Sequence, residues 1–251
     1  MIRFFRTIRK KLATENKFMA YSRYAIGEIV LVVIGILIAL KINNWNEDRK
    51  LEIQENLYLN RLLIENKEDV NTFKTEIKNL SYGIETIKAL SEALRDSTCS
   101  DSILLEKAND YFQFGSIYPS FTSSTSTFDD LSSTGNLRVL TNSDLRDRIV
   151  KHYAKHKQVE ERIQTGIEWA LPVDGTFTYE HSIMRFEPSS NFLFPNASKH
   201  ELALSIRSNT FDYINIAASH YWLKKDAIDQ LQALVKETED IIASLESEIK
   251  Q

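Results

Sequence analysis

Apolar positions recur in two long seven-residue patterns near opposite ends of the chain. Leu59, Leu63, Val70, Phe73, Ile77, Leu80, Ile84, Ile87 and Leu94 follow alternating steps of four and three, with Asn66 and Ser91 in the two remaining slots. Ile214, Ala217, Tyr221, Ile228, Leu231, Val235, Ile242, Leu245 and Ile249 repeat the pattern, with Lys224 and Thr238 as the polar slots. This spacing places each set on one face of a helix, and predicts helices over about 47–95 and 209–250. Two seams of equal length predict an antiparallel pair, with Leu59 near Ile249 and Leu94 near Ile214. The alternative pairs residues 47–94 with another subunit as a parallel coiled coil, with Asn66 setting the register. Leu145, Ile149, Tyr153, His156, Val159, Ile163 and Ile167 predict a third helix over 143–170. Asn142 or Ser143 caps its start and Pro172 follows its end. Shorter helices are expected over Ser102–Phe114 and Thr127–Leu137.

A different pattern fills residues 24–46. Ile29 to Leu40 is uninterrupted apolar sequence, with Glu28 before it and Lys41 after it. Nineteen residues from Tyr24 to Ile42 give about 28 Å of helix, close to the ~30 Å hydrocarbon core of a bilayer. The run is apolar all round, unlike an amphipathic core helix, and no small-residue cleavage site follows it. An uncleaved transmembrane anchor is expected. Residues 1–23 carry seven Lys/Arg against one Glu, a net of +6, which leaves −10 on residues 24–251 of a chain whose total is −4. The positive-inside rule therefore predicts a cytoplasmic N-terminus and a large periplasmic C-terminal part. Ile2, Phe5, Ile8 and Leu12 at helical spacing among the basic residues make residues 1–23 a basic amphipathic leader suited to anionic lipid. Trp45 and Lys41 sit where interfacial anchors belong.

The segment Tyr24-Ala25-Ile26-Gly27-Glu28-Ile29-Val30-Leu31-Val32-Val33-Ile34-Gly35-Ile36-Leu37-Ile38-Ala39-Leu40, then Lys41-Ile42-Asn43-Asn44-Trp45-Asn46, carries a family resemblance together with the Met1-Ile2-Arg3-Phe4-Phe5-Arg6 leader. It resembles an uncharacterised family of single-span membrane proteins from Bacteroidota. The likeness is specific over about residues 1–50, and Phe128–Leu137 resembles the family as well. Lys41 stands where the family usually has Gln. The resemblance implies an inner-membrane location and a domain of unknown function, and it supplies no catalytic residues.

Composition narrows the chemistry. The 251 residues include 7 Gly and 4 Pro, against about 18 and about 13 at average usage. No two glycines lie closer than eight positions, so phosphate-cradling Gly-rich turns and Gly-x-Ser-x-Gly elbows are absent. All four prolines and half of the aromatic rings fall between residues 100 and 200. An irregular aromatic cap is expected over about 100–142 and 171–208. Its rings either form a core over the helices or offer a recognition surface, and Tyr118, Phe121, Phe177, Tyr179, Phe186, Phe192 and Phe194 are the candidates for the latter.

Reactive constellations are sparse. His152 and His156, four apart on one helix, have metal-pair spacing, with His181, His200 or Glu160 as a third ligand. A histidine on an apolar seam is more often an ordinary hydrogen-bonded core residue. Asp129-Asp130 beside the Thr122–Thr127 hydroxyl run reads better as a helix start, with Ser126 or Thr127 as cap, than as acid–base machinery. Glu28 with Gly35 and Ala39 is a candidate face for association within the membrane. Cys99, the sole cysteine, cannot form an intrachain disulfide. Beyond the leader no basic cluster points to nucleic acid.

The expected protein is all-α: a transmembrane helix, then an extracytoplasmic antiparallel helical bundle (47–251) with an aromatic cap. The expected function is a non-enzymatic interaction or scaffold module without a cofactor. Its partners would be the lipid bilayer and another envelope protein or a second copy. A ligand-binding, sensor-like domain acting through a partner membrane protein is the alternative.

Overall fold

The computed structural model describes Thr7 and residues 18–250; the expected leader helix lies outside them except for Thr7 and residues 18–23. All regular structure among the described residues is helical, without a strand. The elements are α1 (Phe18–Arg95), α2 (Asp101–Asp110) continuing into a π-turn (Tyr111–Gly115), α3 (Ser126–Ser133), α4 (Ser143–Glu180), α5 (Lys199–Ser208) and α6 (Thr210–Ile249). Short 3-10 turns cover Asn136–Val139, Ile183–Phe186 and Asn191–Leu193.

The chain divides into two compact units, Met1–Asn56 and Leu57–Gln251. In the first, the apolar part of α1 is long enough to cross a membrane, with a mean hydropathy of 2.6 and none of it buried against protein. Every residue from Ile29 to Ile53 is exposed, including Gly35, Ala39, Lys41 and Trp45, while Glu28 is half-buried. An exposed continuous apolar surface of this length is incompatible with water and consistent with membrane anchoring.

The second unit is built on the two seams. Leu59, Leu62, Leu245 and Ile249 share one apolar cluster with Leu145, Ile149 and Tyr153 of α4. Phe73, Leu80, Leu231 and Val235 share a second with Val159 and Ile163. Leu90, Leu94, Tyr213 and Ile216 share a third with Leu104 and Tyr111. Ion pairs track the same register: Lys67 meets Glu246 at 2.6 Å and Lys74 meets Glu239 at 2.7 Å, so rising numbers on α1 face falling numbers on α6. Both helices bury more than one seam. Leu62 and Leu90 on α1, and Leu223, Leu234 and Ile241 on α6, are also buried, because α4 packs alongside.

Three local outcomes differ from expectation. Helix α4 does not stop before Pro172 but continues to Glu180. Proline removes one backbone donor and costs about 3 kcal/mol in a helix interior; side-chain contacts beyond it, described below, hold the extra turns. Residues 199–208, expected irregular, form α5, started by a reciprocal capping box between Ser198 and Glu201. Helix α3 has no side-chain cap of its own. Instead Glu65 of α1 accepts from Ser126 Oγ (2.6 Å), Thr127 Oγ1 (2.7 Å) and the Thr127 N–H (3.2 Å). Gly135 takes a left-handed conformation (φ 73°) in the turn after α3, where a side chain would be strained.

Candidate functional site

Two neighbouring features of the second unit concentrate polar and aromatic chemistry: a buried relay and a surface trough. The relay begins at the π-turn, which brings Tyr111 inward until it is 1% exposed. The Tyr111 hydroxyl meets His220 Nδ1 at 2.7 Å, and His220 Nε2 meets Asp174 Oδ2 at 2.8 Å. The Tyr118 hydroxyl donates to the same Asp174 oxygen. With a proton on Nε2, His220 accepts from the Tyr111 hydroxyl at Nδ1 and donates to Asp174. Burial, reinforced by the nearby Asp174 charge, pushes Tyr111 well above the usual phenol range. Tyr118 is raised by burial and by its bond to Asp174. Both phenols thus stay protonated donors at neutral pH.

Lys224, one turn beyond His220 on α6, is 1% exposed and donates to the Ile117 carbonyl just past the π-turn. Burial draws its ammonium down to about 8, against the raising effect of Glu76. A cation at carbonyls ending a helical turn is electrostatically favourable. Gly83 makes room for it: a Cβ there would lie 2.7 Å from Lys224 Cε and 2.8 Å from the Phe114 carbonyl.

The trough runs over the α4–α6 crevice. A cavity of about 710 Å³ is lined by Pro119, Glu161, Arg162, Gly166, Trp169, Trp222, Leu223 and Asp226, among others. A second, of about 520 Å³, shares Trp169 and continues along Pro172, Val173, Thr176, Phe177, Glu180, Asp212 and Ile216. Trp169 and Trp222 pack edge to face at 5.8 Å, yet stay 62% and 53% exposed. Arg162 bridges the crevice with a two-pronged bond to Asp226 (2.8 and 2.6 Å). Gly166 lets the helices approach closely, since a Cβ would sit 2.8 Å from Leu223 Cδ2.

The expected cap residues are dispersed rather than gathered into one surface. Phe177 is buried edge to face against Tyr213 (5.1 Å). Phe186 packs on Phe112 (5.1 Å), and Phe121 stacks on Phe73 (5.5 Å). Phe194 lies under the Arg185 guanidinium at 5.5 Å, and Tyr118 belongs to the relay. Only Tyr179 and Phe192 are largely exposed. Trp169 and Trp222 form the main exposed aromatic pair of the trough. Trp222 lies one position past Tyr221 of the α6 seam and Trp169 two past Ile167 of the α4 seam, and this flanking placement is the signal in the sequence that marks them.

His152 and His156 are both buried, with ring centroids 4.3 Å apart. His152 Nε2 bonds Asn66 Oδ1 at 3.0 Å, and Asn66 in turn donates to the Tyr153 hydroxyl. Both His156 nitrogens are buried without a hydrogen-bond partner, and the ring packs edge to face against Phe73 and Phe121. The suggested third ligands are engaged elsewhere or exposed: His181 pairs with Asp212, His200 with Asp101, and Glu160 faces solvent. Among the described residues no three His, Cys, Asp or Glu side chains gather to hold a metal. Asp129 accepts from Thr125 and Asp130 from Tyr58, positions that organise α3. Cys99 is half-buried, and its carbonyl accepts from Arg207.

The hydroxyl-rich run 120–127 is strapped along α1, whose Glu76, Asp69 and Glu65 accept N–H bonds from Ser120, Ser124 and Thr127. Burial raises Asp69 to about 6, partly offset by the Ser124 bonds. Burial, helped by His152, lowers His156 to about 3. The two groups tilt stability in opposite directions. For Asp69 the penalty of the buried charge is full above pH 6 and fades as pH falls toward its ordinary value of 3.8. For His156, stability is lost as pH falls from its ordinary 6.5 toward 3, because the unfolded chain takes the proton first. Relative to the wild type, Asp69→Asn is expected to lose stability as pH drops from 7 to 5, and His156→Phe to gain it. Denaturant unfolding of the full chain at both pH values measures the two slopes; slopes of the same sign would contradict this assignment.

Residues 28–166, more than half of the chain, match the model of a family of unknown function, DUF6090, a span running from Glu28 in α1 to Gly166 in α4. No curated protein and no solved structure matches the chain. The chain therefore belongs to the DUF6090 family, a family of unknown function.

Proposed function

We propose that this protein is a membrane-tethered, non-enzymatic interaction module. In this reading residues 1–23 lie in the cytoplasm, 24–46 cross the inner membrane, and 47–251 form a periplasmic antiparallel helical bundle with an aromatic-rich cap. The +6 charge of the leader against −10 on the remainder supports that orientation. The observation that carries the docking role is the α4–α6 trough, whose two tryptophans remain more than half exposed above an apolar floor. Exposed tryptophan is costly to leave in water and is enriched where partners bind. The relay is better suited to rigidity than to catalysis, since its potential nucleophile, Tyr111, is buried and held protonated.

A photoreactive phenylalanine analogue at position 222 tests the reading in intact membranes. A discrete protein adduct is expected at 222 and none at Val150, an exposed site on α4 away from the trough. The sensor-like alternative draws on the 710 Å³ volume, which falls in the ~300–1,000 Å³ range of small-molecule sites. Absence of a protein adduct, with a small molecule retained by the purified chain in native mass spectrometry, would favour that alternative.

A further inference from the structure

The trough has a shape and a charge that together select an occupant. Its two cavities follow α4 from Gln158 to Glu180, about 33 Å at ~1.5 Å per residue. That length matches a partner helix of about 20 residues. The floor is apolar, and the rim is acidic. Arg162 is the lone Lys or Arg lining either cavity, and Asp226 already neutralises it with two bonds. His181 and Asp212 pair with each other at 3.6 Å. Glu161 and Glu180, at opposite ends of the trough, make no ion pair among the described residues. A second copy would bring two acidic rims together, and anionic lipid headgroups would meet the same repulsion. A helix with an apolar face and basic flanks meets neither obstacle.

We propose that the α4–α6 trough binds a basic amphipathic helix of a partner protein. Its apolar face lies on Trp169 and Trp222, and Lys or Arg side chains near its two ends reach Glu161 and Glu180. The inference rests on the docking reading and adds the chemistry of the partner. It places the tryptophans as the anchors that fill the helix's apolar face. The carboxylates set orientation and partner choice more than affinity.

The test uses the full chain in phosphatidylcholine nanodiscs with Trp45→Phe, which leaves Trp169 and Trp222 as the only tryptophans. Dansyl-labelled amphipathic peptides of about 20 residues, one of Leu and Lys and one of Leu and Glu in the same pattern, serve as probes by energy transfer from tryptophan. Transfer is expected with the Leu/Lys peptide and not with the Leu/Glu peptide. Glu161→Gln with Glu180→Gln should weaken the Leu/Lys peptide about five- to tenfold, as for two exposed ion pairs. Trp222→Ala should weaken it by more than about tenfold. Equal transfer from both peptides, or from neither, overturns the proposal. So does a dimer in sedimentation that Trp222→Ala dissociates, which would assign the trough to a second copy. A protein adduct at position 222 without preference for the basic peptide overturns the helix chemistry alone, whereas no adduct removes the docking reading as well.

Discussion

Asp174→Leu is expected to destabilise the helical unit by about 3–5 kcal/mol, since it strands two donors that bond one carboxylate. His220 Nε2 is buried and loses its acceptor at 2.8 Å, and the Tyr118 hydroxyl loses its own. Hydrogen bonds to an ionised group contribute about 1.5–3 kcal/mol each, and an orphaned buried donor adds its desolvation cost. The consequences extend along the chain. Asp174 lies two residues past Pro172, and its bonds help keep that part of α4 helical against the proline. Tyr118→Phe is a much milder change. It removes one donor and leaves the Asp174–His220 bond in place, so the low end of that range, about 1.5 kcal/mol, is expected. Asp174→Asn falls between them because it keeps an acceptor oxygen and loses the charge. Denaturant unfolding of the full chain in mild detergent gives the order directly. If Asp174→Leu proved no worse than Tyr118→Phe, the relay would not be a unit of stability.

The second large effect belongs to Gly83. In an exposed helix, Gly→Ala gains about 1 kcal/mol from propensity. Here the sign reverses. The new methyl would meet Lys224 Cε at 2.7 Å and the Phe114 carbonyl at 2.8 Å, and the second contact is backbone that cannot swing aside. Overpacking of this kind costs about 1–3 kcal/mol. Displacing Lys224 adds to it, because a buried ammonium that loses its partner is penalised by about 3–5 kcal/mol when the loss is complete. A net loss of about 2–4 kcal/mol is expected for Gly83→Ala, read as a fall in the unfolding midpoint. The double variant Gly83→Ala with Lys224→Met should recover part of it, since Met carries no charge and bends around the methyl. No recovery would mean that the Phe114 carbonyl alone sets the cost.

These two sites show where the sequence was legible and where it was not. The seams were legible because a helix repeats every 3.6 residues, and that period is written directly into apolar spacing. Lys224 was visible only as a polar interruption of the α6 seam. Its burial follows from the Ile117 carbonyl, contributed by a segment 107 residues earlier. His220 and Asp174 are 46 residues apart, and neither belongs to a motif. The concentration of large rings between residues 100 and 200 was legible in the sequence, but the place of each ring was not. Which rings turned inward depended on packing partners such as Phe73 and Tyr213. The capping box Ser198–Glu201 was present in the sequence and marks α5, a local signal that the prolines on either side of residues 189–194 obscured.

By itself the sequence determined an all-helical chain with one apolar segment long enough for a membrane, because helical period and hydrophobic length are local properties. It also determined the charge asymmetry between the leader and the rest. Only the tertiary structure decided the continuation of α4 through Pro172, the Tyr111–His220–Asp174–Tyr118 relay and the tryptophan trough. Each of these depends on side chains brought together from distant helices, and the free energy of such contacts does not exist until the helices have packed.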